Sequence, residues 1–238
     1  MHRMRLYTLL AIAAAAGGQV WATEAENPDG IAERYVDKYL EATQTQKAAM
    51  RGVQMEVSLD ARLPRLEKRG RLRALRTISK LGMITYKALG FSGDNMIKSQ
   101  VIARYLDGES QTRDIGITRA NYKFKYKGQV EHDGRKVFVL QVTPRKKAVG
   151  LFRGELWLDA ETAMPVREAG RFVKSPSIFL KKIEFVRDYQ MKDGVAVPIH
   201  VESSANVRVL GRAELSIDYS NISRQDLAED AAPDSSNR

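Results

Sequence analysis

The sequence predicts a mainly β chain with some α: a single large curved antiparallel sheet with helices covering its concave face. Three observations predict it. From Gly52 onward apolar residues recur with a period of two in about ten runs, turn chemistry such as Asp133-Gly134 and Asp193-Gly194 separates those runs, and only two stretches carry a helical period. Such alternation marks strands with one wet face, which belong to antiparallel sheets, and the other face then needs a cover. Two helices suffice for one curved sheet. A two-layer sandwich, the alternative for so many strands, needs no helical lid.

The first helical stretch runs from Asp29 to about Ala49, capped by Asp29, with Ile31, Tyr35 and Tyr39 beside Val36 and Leu40 on one face. After Gly52 the side chains Val53, Met55, Val57 and Leu59 fall on one side of a strand, and Gln54, Glu56, Ser58 and Asp60 on the other. Arg69 to Ser79 and Met83 to Phe91 read as two more strands. Ser92-Gly93-Asp94 breaks the pattern and offers a cap at Asp94. A second helix then follows from Asn95 to Leu106, striped by Ile97, Val101 and Tyr105 with Ile102 and Leu106 alongside, and stopped by Gly108. Beyond Ile117 the expected elements are strands alone: Tyr122 to Val130, Lys136 to Thr143, Arg153 to Asp159, Pro165 to Lys174, Ile178 to Met191, Val195 to Ser203 and Val207 to Tyr219.

Arg3 and Arg5 precede an uncharged apolar stretch from Leu6 to Gly18, and the small side chains Val20 and Ala22 follow, which is the pattern of a secretory signal cleaved after Ala22. The alternative is an N-terminal anchor, but the stretch is shorter than the roughly 20 residues a spanning helix needs. The expected organisation is a signal peptide over 1–22, one domain over 23–226, and a disordered tail, acidic, small and polar, over 227–238. Export predicts a periplasmic location. With no cysteine there is no disulfide framework, no thiolate metal site and no residue to carry a lipid anchor of its own.

The formal net charge is +10. Nucleic acid is the partner such a balance first suggests, yet an exported chain rarely meets it. The aromatic residues are also not interleaved with the basic run as a stacking platform requires. Catalysis finds equally little support. After the expected cleavage point His132 and His200 are the only histidines, no paired acids stand at helical or metal-ligand spacing, and Ile115-Gly116-Ile117 and Val149-Gly150-Leu151 lack the spacing of a phosphate loop or nucleophile elbow. The expectation is a binding protein, not an enzyme, with no metal and no cofactor.

The segment Gly154-Glu155-Leu156-Trp157-Leu158-Asp159, then Thr162, Pro165 and Val166, resembles the LolA/LolB-like superfamily of periplasmic lipoprotein carriers. So does the order of elements: signal peptide, helix, strands, helical insertion, strands to the end. On its own the motif reads physically as a hairpin that Asp159 begins and Pro165 follows. The resemblance implies a half-barrel whose helical lid closes an apolar hollow for the acyl chains of lipoproteins or lipids. It further implies transfer to the outer membrane, with an inner-membrane transporter and an outer-membrane receptor as partners. The same fold class also allows an envelope regulatory or assembly module that binds a partner protein.

The hollow is expected from Val53, Met55, Val57, Leu59, Tyr122, Phe124 and Tyr126, and the lid from Ile97, Val101, Ile102 and Tyr105, each of which also fits ordinary core. Arg69, Arg71 and Arg73 share one strand face within a longer basic run. They fit contact with lipid head groups or a membrane surface, or else a plain solvated face. The loop Pro144 to Phe152, with three cations and several apolar residues, fits a bilayer or partner contact, or a long connection whose Leu151 and Phe152 fold back into the core.

Overall fold

The structure is a computed structural model describing residues 27–111, 116–176 and 178–224. The expected signal peptide at 1–22 and the tail at 227–238 lie outside the described residues.

Ten strands form one open, curved antiparallel sheet: β1 (Val53–Leu63), β2 (Lys68–Ile78), β3 (Ile84–Gly93), β4 (Tyr122–His132), β5 (Arg135–Pro144), β6 (Phe152–Asp159), β7 (Pro165–Phe172), β8 (Leu180–Lys192), β9 (Val195–Val207) and β10 (Gly211–Arg224). Their order across the sheet is β3-β2-β1-β10-β9-β8-β7-β6-β5-β4. Each strand pairs with its sequence neighbours except at two places. The first strand pairs with the last, and β3 and β4, consecutive in the chain, stand at opposite edges. The connection between them therefore runs from one edge of the sheet to the other.

That connection carries the second helical segment, built from α2 (Asn95–Ile97), a π-helical turn (Lys98–Ile102) and α3 (Ala103–Gln111). Asp94 caps it as expected, accepting a hydrogen bond from Met96 N at 2.7 Å and an ion pair from Lys68 at 2.7 Å. The helix does not stop at Gly108 but runs through it to Gln111. The first helix, α1, spans Pro28–Ala49, so it begins before Asp29, which lies inside the first turn and not at the cap.

Each helical segment covers one part of the inner face. Under α1, the residues Tyr35, Val36 and Tyr39 pack with Phe138, Leu140, Leu156, Leu158 and Phe185. Under the second segment, Ile97 and Ile102 pack with Met55, Val57, Leu59, Leu72 and Ile217. The two cores are separate clusters.

Strand bounds follow the alternation with small shifts. The run Val207 to Tyr219 is not one strand: Val207 ends β9, and β10 begins at Gly211. Val209 between them has a φ of 75°. An apolar residue at each odd position carries the period straight through this turn and hides it.

The segment that resembles the carrier superfamily is a hairpin in fact. The Asp159 carboxylate accepts from Glu161 N at 3.1 Å, Thr162 N at 2.9 Å and the Thr162 hydroxyl at 2.9 Å, fixing the tight turn into β7. Gly154 lets β6 and β7 approach closely, since a Cβ there would stand 1.9 Å from the Ala169 carbonyl oxygen.

Candidate functional site: an apolar cavity between the two helical covers

Between the two helical covers a cavity of about 800 Å³ lies over the inner face of the sheet. Strands β7 to β10 supply its floor through Phe172, Leu180, Ile183, Phe185, Ala205, Val207, Ala213 and Leu215. One wall is α1, with Tyr39, Thr43 and Gln46, and the other is the second helical segment, with Val101, Tyr105 and Glu109. Such a volume lies within the range of small-molecule and cofactor sites, roughly 300–1,000 Å³.

Aromatic rings build the end near β4. Tyr122 and Phe152 stand 5.9 Å apart, Phe152 meets Phe185 edge-on at 5.0 Å, and Phe172 lies 5.2 Å from Phe185. Rings at these separations form a stiff apolar surface. The Tyr122 hydroxyl is occupied in accepting from Phe152 N at 3.1 Å, and burial pushes its titration upward.

The cavity also has a polar ribbon. Arg76, buried on β2, donates to Tyr86 Oη at 3.1 Å and to Glu109 of the lid at 3.2 Å, and Tyr86 Oη donates to the same carboxylate. Farther along, Arg187 on β8 donates to Glu168 at 3.3 Å and to Tyr189 Oη at 3.4 Å. Tyr105 and Tyr219 are partly buried between the two groups, and burial pushes both phenols upward. Burial, and then the nearby Glu109 carboxylate, push the Tyr86 phenol far above its ordinary range. Burial opposes the charge on Arg76, but Glu109 and Tyr86 outweigh it and hold the guanidinium charged. For Arg187 the Tyr189 phenolic group is the largest influence and raises it, burial opposes, and Glu168 adds.

The structure divides the residues singled out from the sequence. Tyr122, Val101 and Tyr105 border the cavity. Val53, Met55, Val57 and Leu59 are buried in the core beneath the lid and do not border it, and Ile97 and Ile102 are the lid's anchors into that same core. Phe124 and Tyr126 pack against the core under α1. Arg69, Arg71 and Arg73 point outward from β2, away from the hollow. Arg71 pairs with Asp60 at 2.8 Å and Arg73 with Glu56 at 3.6 Å, across to β1. Burial opposes the Asp60 charge, yet Arg71 and Arg62 keep its carboxyl below the usual range. In the loop before β6, Leu151 and Phe152 are buried while Lys146, Lys147 and Val149 are exposed.

Sequence reasoning missed Arg76, Glu109, Glu168, Arg187 and Tyr189. One signal was present: Arg76 falls on the same side of its strand as Leu72 and Ala74, where the alternation calls for an apolar residue. Among the described residues no group of three or more His, Asp or Glu side chains could hold a metal ion, and no helix is long and apolar enough to cross a membrane.

Fold and site together define an open antiparallel sheet with two helical covers and, between them, an apolar hollow that has a polar ribbon along its length. No family profile matches the sequence, and no curated protein does. Solved structures similar to it include a DUF1329 family protein from Desulfovibrio piger, 14% identical over 85% of this chain and 95% of that one, with a TM-score of 0.45. Another is an outer membrane lipoprotein-sorting protein domain from Vibrio parahaemolyticus, 15% identical over 82% and 95%, with a TM-score of 0.43. A third is a LolA superfamily protein from Nitrosomonas europaea, 12% identical over 81% and 94%, with a TM-score of 0.42. All three TM-scores lie below 0.5, so the functional reading rests on the cavity itself.

Proposed function

We propose that this chain is a periplasmic carrier that shields the acyl chains of a lipoprotein or lipid in its hollow on the way to the outer membrane. It binds its cargo without transforming it. The observation that carries the reading is the apolar cavity of about 800 Å³ between two separate cores. An open hollow lined by Leu180, Ile183, Phe185 and Val207 is costly to leave in water, and an acyl chain removes that cost. At roughly 0.8 kcal/mol per methylene, a chain of about a dozen carbons contributes several kcal/mol net of the cost of ordering it.

The lid supplies entry and release. Ile97 and Ile102 anchor its first half to the sheet, while Val101, Tyr105 and Glu109 face the cavity. The π-helical turn between Ile97 and Ala103 breaks the regular hydrogen-bond ladder and is the natural pivot. Opening costs the contacts of Arg76 and Tyr86 with Glu109. Cargo that buries apolar surface only in one lid position shifts the balance between closed and open states. An inner-membrane transporter and an outer-membrane receptor would act on that balance from either side.

The test is native mass spectrometry of protein purified gently from an envelope fraction, followed by organic extraction. About one lipid adduct per chain is expected for a single hollow of this size. An Ala205→Trp variant, which fills the floor, should lose it while melting as a folded protein. An empty hollow in the parent, under conditions that preserve a known carrier's cargo, with a stoichiometric protein bound instead, would replace this reading with that of a partner-binding module.

A further inference from the structure

The two ends of the sheet differ in chemistry. Four short strand-to-strand connections meet at one end, 64–67, 145–151, 173–179 and 208–210, where the long β3–β4 connection also begins at Asp94 and returns at Tyr122. They carry Arg65, Arg145, Lys146, Lys147, Lys174 and Arg208 against Glu67 alone. The four at the other end, 79–83, 133–134, 160–164 and 193–194, carry Lys80 against Asp133, Glu161 and Asp193. The basic end is a single surface, because its connections are tied to one another. Arg208 N donates to Phe179 O at 2.8 Å, Val173 N donates to Leu151 O at 2.9 Å, and the Arg65 side chain lies against Gly211.

From this surface apolar side chains stand out into solvent. Val209 is 86% exposed, Ile178 76% and Phe179 47%, with Leu66 and Val149 beside them. Exposed apolar tips among cations, with almost no acid, complement a surface that is anionic outside and apolar beneath, which is a bilayer containing anionic lipid. A protein partner would need a matching acidic, apolar-pocketed face. The bilayer needs only its charge and its depth. The cavity reaches this same end, where Val149, Gly150, Pro176 and Leu180 line it.

We infer that the loop end formed by Ile178, Phe179 and Val209, ringed by Lys146, Lys147, Lys174 and Arg208, docks on an anionic membrane surface and sets this end of the cavity against the lipid. The inference rests on the carrier reading and assigns the membrane-facing surface to these loops, not to Arg69, Arg71 and Arg73. Docking orients the molecule so that an acyl chain passes between bilayer and hollow without crossing water.

The experiment is flotation with vesicles of phosphatidylcholine alone or mixed with phosphatidylglycerol, at low and high salt. It uses the full chain and the chain starting at Thr23, which keeps every described strand and helix and removes the apolar N-terminal stretch. Both should float with anionic vesicles at low salt and detach at high salt. Each cation near such a surface is worth about a factor of five, so Lys146→Gln/Lys147→Gln should bind about thirtyfold more weakly. Ile178→Glu/Val209→Glu should abolish flotation with an unchanged melting curve, and Met83→Glu at the other end, exposed and outside the cavity lining, should leave it intact. Unchanged flotation by the Ile178/Val209 variant, no flotation of the parent, or retention only by a protein partner overturns the inference. Native mass spectrometry of the same variant separates the two readings: lipid adducts that persist without vesicle binding leave the carrier standing and remove the docking surface.

Discussion

His200 stands on the outer face of β9, its Nδ1 2.6 Å from Asp218 Oδ1 on β10 and its Nε2 3.6 Å from Glu202. Burial works against its charge, but the hydrogen bond with Asp218 outweighs it and raises the imidazole above the ordinary 6.5. The sign follows from which state holds the proton more tightly. With the folded value raised, the stabilisation is whole below the unfolded value and is lost as pH rises through the folded one. Asp218→Asn should therefore destabilise the protein at about pH 5 and have little effect at about pH 9. Urea melts at the two pH values check this, and an equal loss at both would mean that His200 is not charged in the pair. On the strand Val195 to Val207 the position of His200 falls on the polar side of the alternation, and the residue is partly exposed there. Its acid is invisible in the sequence, since Asp218 lies on another strand and only the β9–β10 register makes them opposite.

At the scale of elements, the second helical segment separates core-facing from cavity-facing residues. Ile97 is wholly buried in the core beneath it, and Val101, one turn on, borders the cavity. Ile97→Asp places an unpaired carboxylate in that core and should cost about 3 kcal/mol or more of stability. Val101→Asp should keep the melting temperature within a few degrees and lose the lipid adduct instead. Thermal melts set beside native mass spectra decide; a Val101 variant that unfolds as readily as the Ile97 one would make the whole helix core. Strands and helices were legible in the sequence because period two and period 3.6 are written in consecutive residues. The hollow was legible only in part. Alternation marks Met55 and Leu59 as inward-facing, but whether an inward residue meets a helix or open space depends on where the helices land. The Arg76–Glu109 and Arg187–Glu168 pairs each join separate elements, and no local pattern announces them.

Across the whole molecule, two small cores flank a gap, so occupancy of the gap should govern how well they hold together. A ligand that binds only the folded chain stabilises it by about 2.7 kcal/mol at a hundred times its dissociation constant. For a chain of this size each kcal/mol moves the melting temperature by about 2–4 °C. Delipidated protein should therefore melt several degrees lower and recover on re-addition of the extracted lipid. Calorimetry before and after extraction checks it, and identical curves would mean that the gap is never filled by cargo. The charge difference between the two ends belongs to this scale as well, for no single loop shows it. Loop by loop the cations read as ordinary surface, and only the strand directions gather them at one end.

The pairing of β1 with β10, which joins Val53 to Arg224, also sets an order of events. Local hairpins such as β4–β5 and β8–β9 form as soon as their turns exist, because they close short loops. The β1–β10 seam closes almost the whole chain, and contacts of that span form slowly and late. Until then β1 to β3 form a small sheet open along one side, with the apolar row from Val53 to Leu63 lacking the neighbour it will later have. Strand β10 is therefore the one that completes the sheet, and the floor of the hollow, to which it contributes Ala213 and Leu215, is not whole before it has arrived.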